Sequence, residues 1–284
     1  DSLVEHMDDA ARMNIEVVPP DVNRSEADFA VGEAKILTGV DLEVLRGESL
    51  VIVGGSGAGK SVLLKHLIGL LQPDHGHVVV DGVDLTLVSP ETALDLRKRF
   101  GMLFQNGALL TDLSVFENVA FPLREHTRLS DRLVRHIVLT KLHAVGLRGA
   151  APMMPAELSG GMARRVALAR AMVMDPDILI YDEPFVGLDP ISMGVIVRLV
   201  RRMNDALGIT SIIVSHDVEE VATVADCSYL LSDGKVAASG SPDELRTANS
   251  ELVRQFMHGM ADGPVAFHYD APDYAEQLLG RDAD

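Results

Sequence analysis

Two hydrophobic periods alternate along this chain. Short branched runs, Ser49-Leu50-Val51-Ile52-Val53, Ile178-Leu179-Ile180-Tyr181 and Thr210-Ser211-Ile212-Ile213-Val214, carry no regular polar face, as strands buried on both sides of a parallel sheet do. Between them apolar residues return at helical spacing over 62–70, 115–123, 132–145, 163–174 and 191–207. Helix-cap residues sit in Asp112-Leu113-Ser114 and Leu129-Ser130-Asp131, while Pro122 and Pro152 are expected to break the runs. Residues 29–48 alternate instead, with a short strand expected over 39–44, and predict an antiparallel layer beside the parallel core. Strands are expected to resume at Ser228 and Val236, before a Ser241-Pro242-Asp243-Glu244 cap and a helix.

This pattern predicts an α/β fold with an inserted helical lobe at about 107–175. Residues 1–28 read as an acidic leader with one possible strand near 14–18, 29–240 as the main domain, and 241–284 as a C-terminal helix and extended tail. That tail carries Phe256, Met257, Phe267, Tyr269, Tyr274, Leu278 and Leu279, more apolar anchors than a solvated acidic tail needs. They pack either on the chain's own core or on a partner.

The first buried run leads into Gly54-Gly55-Ser56-Gly57-Ala58-Gly59-Lys60-Ser61, which fits the phosphate-loop pattern between strand and helix. Its glycines let successive backbone N–H groups face a phosphate, and the helix entered through Lys60, Ser61 and Val62 adds its positive end. Lys60 would reach the β- and γ-phosphates of ATP, and the Ser61 hydroxyl would take one position on Mg²⁺. A ligand-free glycine turn is the bland alternative, and the flanking strand and helix argue against it. The Ile178 run ends in Asp182-Glu183, where Asp182 would hold Mg²⁺ through a water and Glu183 would act as general base toward the attacking water. Leu158-Ser159-Gly160-Gly161-Met162 precedes a helical segment and offers two glycine N–H groups, a second phosphate-binding element. No Asn is followed by Lys, so the guanine-reading motif of GTPases is absent.

Composition narrows the setting. A net charge of −17 and a pI near 4.9 argue against nucleic acid and anionic lipid as direct partners. Much of the excess lies in residues 1–28 and 262–284, read as solvated tails or partner contacts rather than catalytic carboxylates. The apolar runs are strand-sized and no signal-peptide pattern opens the sequence, so a cytoplasmic, soluble chain is expected, with any membrane role coming through partners. The single Cys227 excludes an intrachain disulfide and reads as a small buried residue.

The order of motifs resembles the ATP-binding-cassette (ABC) proteins: the phosphate loop, Phe104-Gln105, Ser159-Gly160-Gly161, Asp182-Glu183, Val186-Gly187-Leu188-Asp189-Pro190 and Ser215-His216-Asp217. That resemblance implies a RecA-like P-loop core with ATP and Mg²⁺ as cofactors. It further implies that Gln105 links the metal to the helical lobe, that His216 and Glu183 position water, and that Asp189 belongs to the nucleotide-binding loop that follows the strand ending in Asp182-Glu183. Ser159, Gly160 and Gly161, matching the signature sequence of that family, would contact the nucleotide held by a second copy of the chain. Met162 in place of the usual glutamine, Phe121-Pro122-Leu123-Arg124-Glu125-His126-Thr127 and Met260-Ala261-Asp262-Gly263-Pro264-Val265 are similar to the ATPase subunits of Mla/Mce lipid-transport systems. For that family the implied partners are an integral membrane permease, an Mce-domain protein and a small STAS-domain subunit at the cytoplasmic face of the inner membrane. A similar tail in these relatives embraces the partner ATPase subunit. One position departs from the wider pattern: where cassettes stack adenine on an aromatic, this chain aligns Val31, with Phe29 on the same strand face. A regulatory or scaffolding cassette that moves no substrate is the rival reading, and Met162 with the 124–127 segment favours transport.

Overall fold

The computed structural model describes residues 36–218 and 222–265. The leader, Phe29 and Val31, and the tail beyond Val265 lie outside the described residues. In chain order the elements are β1 (Ser49–Gly54), α1 (Lys60–Leu67), β2 (Val79–Val80), β3 (Val83–Asp84), α2 (Pro90–Arg97), β4 (Phe100–Leu103), α3 (Val115–His126), α4 (Asp131–Ala144), α5 (Gly160–Ala171), β5 (Ile178–Asp182), α6 (Pro190–Leu207), β6 (Thr210–Ser215), β7 (Cys227–Ser232), β8 (Lys235–Gly240), α7 (Pro242–Arg246) and α8 (Glu251–His258).

The sheet runs β4-β5-β6-β1-β7-β8, parallel throughout except for β8, which returns antiparallel to β7. Every residue of β1 and β6 is buried, which is why both read as unbroken apolar runs. Successive side chains point to opposite faces. Leu50 and Ile52 pack with Leu63, Leu64 and Ile68 of the α1 side, whereas Val51 and Val53 join Tyr181, Ile196 and Val200 in a larger core. That larger core continues into the helical lobe through Val119, Val138, Leu142 and Leu168. A second sheet, β2 with β3, is antiparallel.

Four expectations are corrected. Residues 39–44 take no strand assignment, yet Val40, Leu42 and Val44 pack inward against the α1-side core while Asp41 and Glu43 face solvent. The inward alternation is present without a ladder, because a strand needs a hydrogen-bonded neighbour and none of the described strands pairs with this stretch. Pro122 does not end its helix: α3 continues to His126. Val119, Ala120 and Leu123, on both sides of the proline, are at most 3% exposed, and their burial offsets the one lost N–H bond. The helix expected from 163 begins at Gly160, capped by the Ser159 side chain, which accepts from the Met162 N–H. Cys227 is only partly buried, opening β7 next to the sheet's antiparallel edge.

Candidate functional site

Four strand ends carry the predicted chemistry. β1 delivers the phosphate loop, β4 leads to Gln105, β5 ends in Asp182 and continues to Glu183, and β6 ends one residue before His216. Because β4, β5, β6 and β1 are adjacent and parallel, their carboxyl ends meet along one edge, the usual position for a ligand in an open α/β sheet. A cavity of about 510 Å³ lies there, lined by residues 56–62 together with Gln105, Asp182, Glu183, Val186 and His216.

The loop's shape follows from its glycines. Gly59 stands at φ 93°, immediately before α1, with Leu37 so close that an added Cβ would lie 2.7 Å from its Cδ2. Neither the backbone nor the space admits a side chain. Lys60 is 9% exposed, and its Nζ donates to the carbonyls of Gly54 at 2.7 Å and Gly55 at 2.8 Å. Burial lowers its pKa, while Glu183 and Asp182 pull the other way.

Asp182 is held differently. Its pKa is raised, first by burial and then by the like charge of Glu183, with Lys60 and Lys65 opposing. Two carboxylates, the Ser61 hydroxyl and the Gln105 amide thus line one cavity, an oxygen-rich and negatively biased donor set that suits Mg²⁺. Glu183 adopts φ 48°, a left-handed backbone uncommon for a non-glycine residue. Its N–H donates to the Val214 carbonyl at 2.9 Å, and its Oε2 lies 2.9 Å from Nδ1 of His216. The Glu183 side chain is 14% exposed and that of His216 61%, so the carboxylate is sheltered and the imidazole faces the solvent side. This pair can orient a water and move its proton.

The remaining predicted residues stand apart. Ser159, Gly160 and Gly161 do not line this cavity; they form the start of α5. Asp189 caps α6, accepting from the N–H groups of Ile191 and Ser192 at 3.0 Å each. The two helix starts touch, since a Cβ on Gly161 would lie 2.5 Å from the Ser192 hydroxyl.

A matching family model, "ABC transporter", covers residues 37–186. The chain belongs to the ABC transporter family. It is 54% identical to "Intermembrane phospholipid transport system ATP-binding protein MlaF" of Haemophilus influenzae over 88% of this chain and 95% of that protein. Identity to the protein of the same name from Escherichia coli K12 is 50%, over 91% of this chain and 96% of the other. Among solved structures, a dimeric ATP-binding cassette in a post-hydrolysis state bound to ADP and Pi superposes with a TM-score of 0.70 at 30% identity, covering 75% of this chain and 94% of that chain. The fold is thus a P-loop ABC cassette, and the cassette is an ATPase.

Some residues that shape the site escape motif reading. Asn118 is fully buried and ties the loop after Gln105, donating to the carbonyls of Leu110, Leu113 and Ser114 and accepting from the Leu110 N–H. Arg164 and Arg170, on the helix that starts at the signature glycines, reach backbone carbonyls on both sides of the cavity. Charged residues on an apolar-periodic helix could have flagged them, since a buried charge needs partners.

Proposed function

We propose that this cassette is the ATP-binding and hydrolysing subunit of an intermembrane phospholipid-transport system, working as a homodimer with two composite ATP sites. The observation that carries the reading is the meeting of Lys60, Ser61, Gln105, Asp182, Glu183 and His216 around one cavity in a chain 54% identical to a protein named for that transport. Lys60 and the loop amides from Gly55 to Val62 neutralise the phosphates. Ser61, Asp182 and Gln105 would hold Mg²⁺, which would supply neutralisation of phosphate charge when bound. Glu183 accepts the water proton, and His216 keeps that carboxylate aimed.

Ser159, Gly160 and Gly161 complete the pocket of the second copy, and Asp189 holds α6 beside them. The partners are an integral permease, an Mce-domain protein and a STAS-domain subunit, with the cassette peripheral on the cytoplasmic face of the inner membrane. Among the described residues no helix is long and apolar enough to cross a membrane. We assign residues 29–240 to the ATPase domain, with 107–175 as the lobe that meets the permease, and 241–284 to a C-terminal helix and tail.

The deciding experiment is Glu183→Gln. Steady-state hydrolysis should fall by about 10² or more while ATP still binds. Turnover within threefold of the wild type would remove Glu183 from the role. Purification with native partners followed by lipid analysis tests the cargo: enriched phospholipid supports transport, and a lipid-free complex favours a regulatory cassette.

A further inference from the structure

Arg164 lies on the first two turns of α5, is 8% exposed, and does not line the nucleotide cavity. Its guanidinium carries a full charge into a half-dry position and meets carbonyl oxygens there. Nη1 donates to the carbonyl of Phe104 at 3.2 Å and to that of Gln105, and Nη2 donates to the carbonyl of Val186 at 3.0 Å. Gln105 and Val186 both line the cavity, the first from the β4 side and the second from the turn that follows Glu183.

That turn needs holding. Glu183 has a left-handed backbone, and such a conformation persists only where its surroundings over-determine it. The described bonds on this turn are those of the Glu183 N–H to Val214, the Glu183 carboxylate to His216 at 2.9 Å, the Val186 N–H to Glu183 at a long 3.5 Å, the Leu188 N–H to Phe185 at 3.3 Å, and Arg164 to Val186. Arg164 is therefore the one member of this set that reaches from another layer of the fold. A planar fork is required, because two nitrogens diverge toward two loops.

Arg170 offers a contrast six residues on. It is only partly buried where Arg164 is buried, though burial lowers the pKa of both guanidinium groups. Yet both of its nitrogens go to one loop, the carbonyls of Gly107 at 2.8 Å and Ala108 at 2.7 Å. Arg170 can stiffen the segment after Gln105, but it cannot tie that segment to Glu183.

We propose that Arg164 is a positioning residue that locks the Gln105 loop and the Glu183–Val186 turn to the helix headed by Ser159, so that the metal-side and water-side groups keep one geometry and move with the signature face. Motion of the helical lobe at Gln105 is then transmitted to the catalytic carboxylate through this guanidinium rather than through the nucleotide alone. The proposal rests on the reading of Gln105 and Glu183 given above.

The test compares Arg164→Lys, Arg164→Met and Arg170→Met with the wild-type cassette and with Glu183→Gln, measuring kcat, KM, the dissociation constant of a fluorescent ATP analogue, and melting temperature. A lysine keeps the charge but reaches one loop only. Arg164→Lys should lower kcat about tenfold with nucleotide affinity within threefold, and Arg164→Met should lower it further. Arg170→Met should cost stability with a smaller change in kcat. If Arg164→Met does not fold, Arg164→Lys carries the test alone. An Arg164→Lys enzyme with wild-type kcat, or one whose kcat and affinity fall together in step with its melting temperature, overturns the proposal. Loss of hydrolysis in Glu183→Gln alongside wild-type kcat in Arg164→Lys would sink the positioning role and leave the site reading intact; normal turnover in Glu183→Gln would sink the site reading itself.

Discussion

The two ends of this cassette that are built to meet a nucleotide differ in what they hold. At the carboxyl edge of the sheet, Lys60, Asp182, Glu183 and Gln105 enclose a cavity of about 510 Å³ within one chain. At the start of α5, Ser159, Gly160 and Gly161 bring a helix N-terminus and glycine amides and line no part of that cavity. The first region has charge, burial and a strained turn; the second has a capped helix against the cap of α6. A surface that offers phosphate-binding groups without a pocket behind them is half of a site. On the reading proposed above, the other half comes from a second copy; the solved cassette similar to this one is itself a dimer.

The sharpest way to break this division is to damage each half separately. Lys60→Ala removes the cation inside the pocket and should lower hydrolysis by about 10²–10³ with loss of ATP binding. Ser159→Arg should block hydrolysis while each chain still binds ATP. Mixing the two variants should then return activity, up to about a quarter of wild type if chains pair at random, since half of the dimers keep one intact composite site. If mixtures with proven heterodimers stay inactive, either each chain works with its own signature residues or both sites must act together.

The same contrast explains what the sequence made legible. Pocket residues lie at strand ends, and a buried parallel strand leaves a run such as Leu50-Val51-Ile52-Val53 that ends where its loop begins. The motif and the fold are then written in the same few residues. Pro122 misled because propensity is local, whereas the buried Val119 and Leu123 on either side of it hold α3 straight through. Residues 39–44 misled in the opposite sense: alternation is local, but a ladder needs a neighbour. Arg164 and Asn118 left no motif at all, because their work is to satisfy backbone carbonyls brought near by folding.

A smaller lesion should confirm that the signature face acts without building the pocket. Gly161→Ala places a Cβ 2.5 Å from the Ser192 hydroxyl, so the start of α5 must move away from α6. Hydrolysis should fall about tenfold with ATP affinity unchanged, and adding Ser192→Gly should recover most of it, a coupling that a double-mutant cycle would expose. A parallel loss of ATP affinity would mean that the signature face shapes the pocket within its own chain.

The smallest expected effect is the most diagnostic of how the two halves are charged. Asp182 has its pKa raised from the ordinary 3.8, mainly by burial and next by Glu183, so the folded chain holds that proton more tightly than the unfolded one. As pH climbs from 3.8 through the raised value, stability from this group is lost, and the penalty remains at neutral pH. Asp189 is the opposite case: bonds from Ser192, then Ile191, lower its pKa, so its contribution is present above 3.8 and lost as pH falls through the lowered value. In the absence of nucleotide, Asp182→Asn should therefore raise the melting temperature at pH 7 by about 2 °C, a gain that shrinks as the pH approaches 3.8. Asp189→Asn should lower the melting temperature at pH 7. With Mg²⁺ and ATP added, the order at Asp182 should reverse, because the wild type gains more from ligand than the variant does. Scanning calorimetry across pH, with and without nucleotide, reads all three. An Asp182→Asn chain that is less stable than wild type at pH 7 without nucleotide would show that the pocket's carboxylate supports the fold, and the asymmetry between the two halves would fall with it.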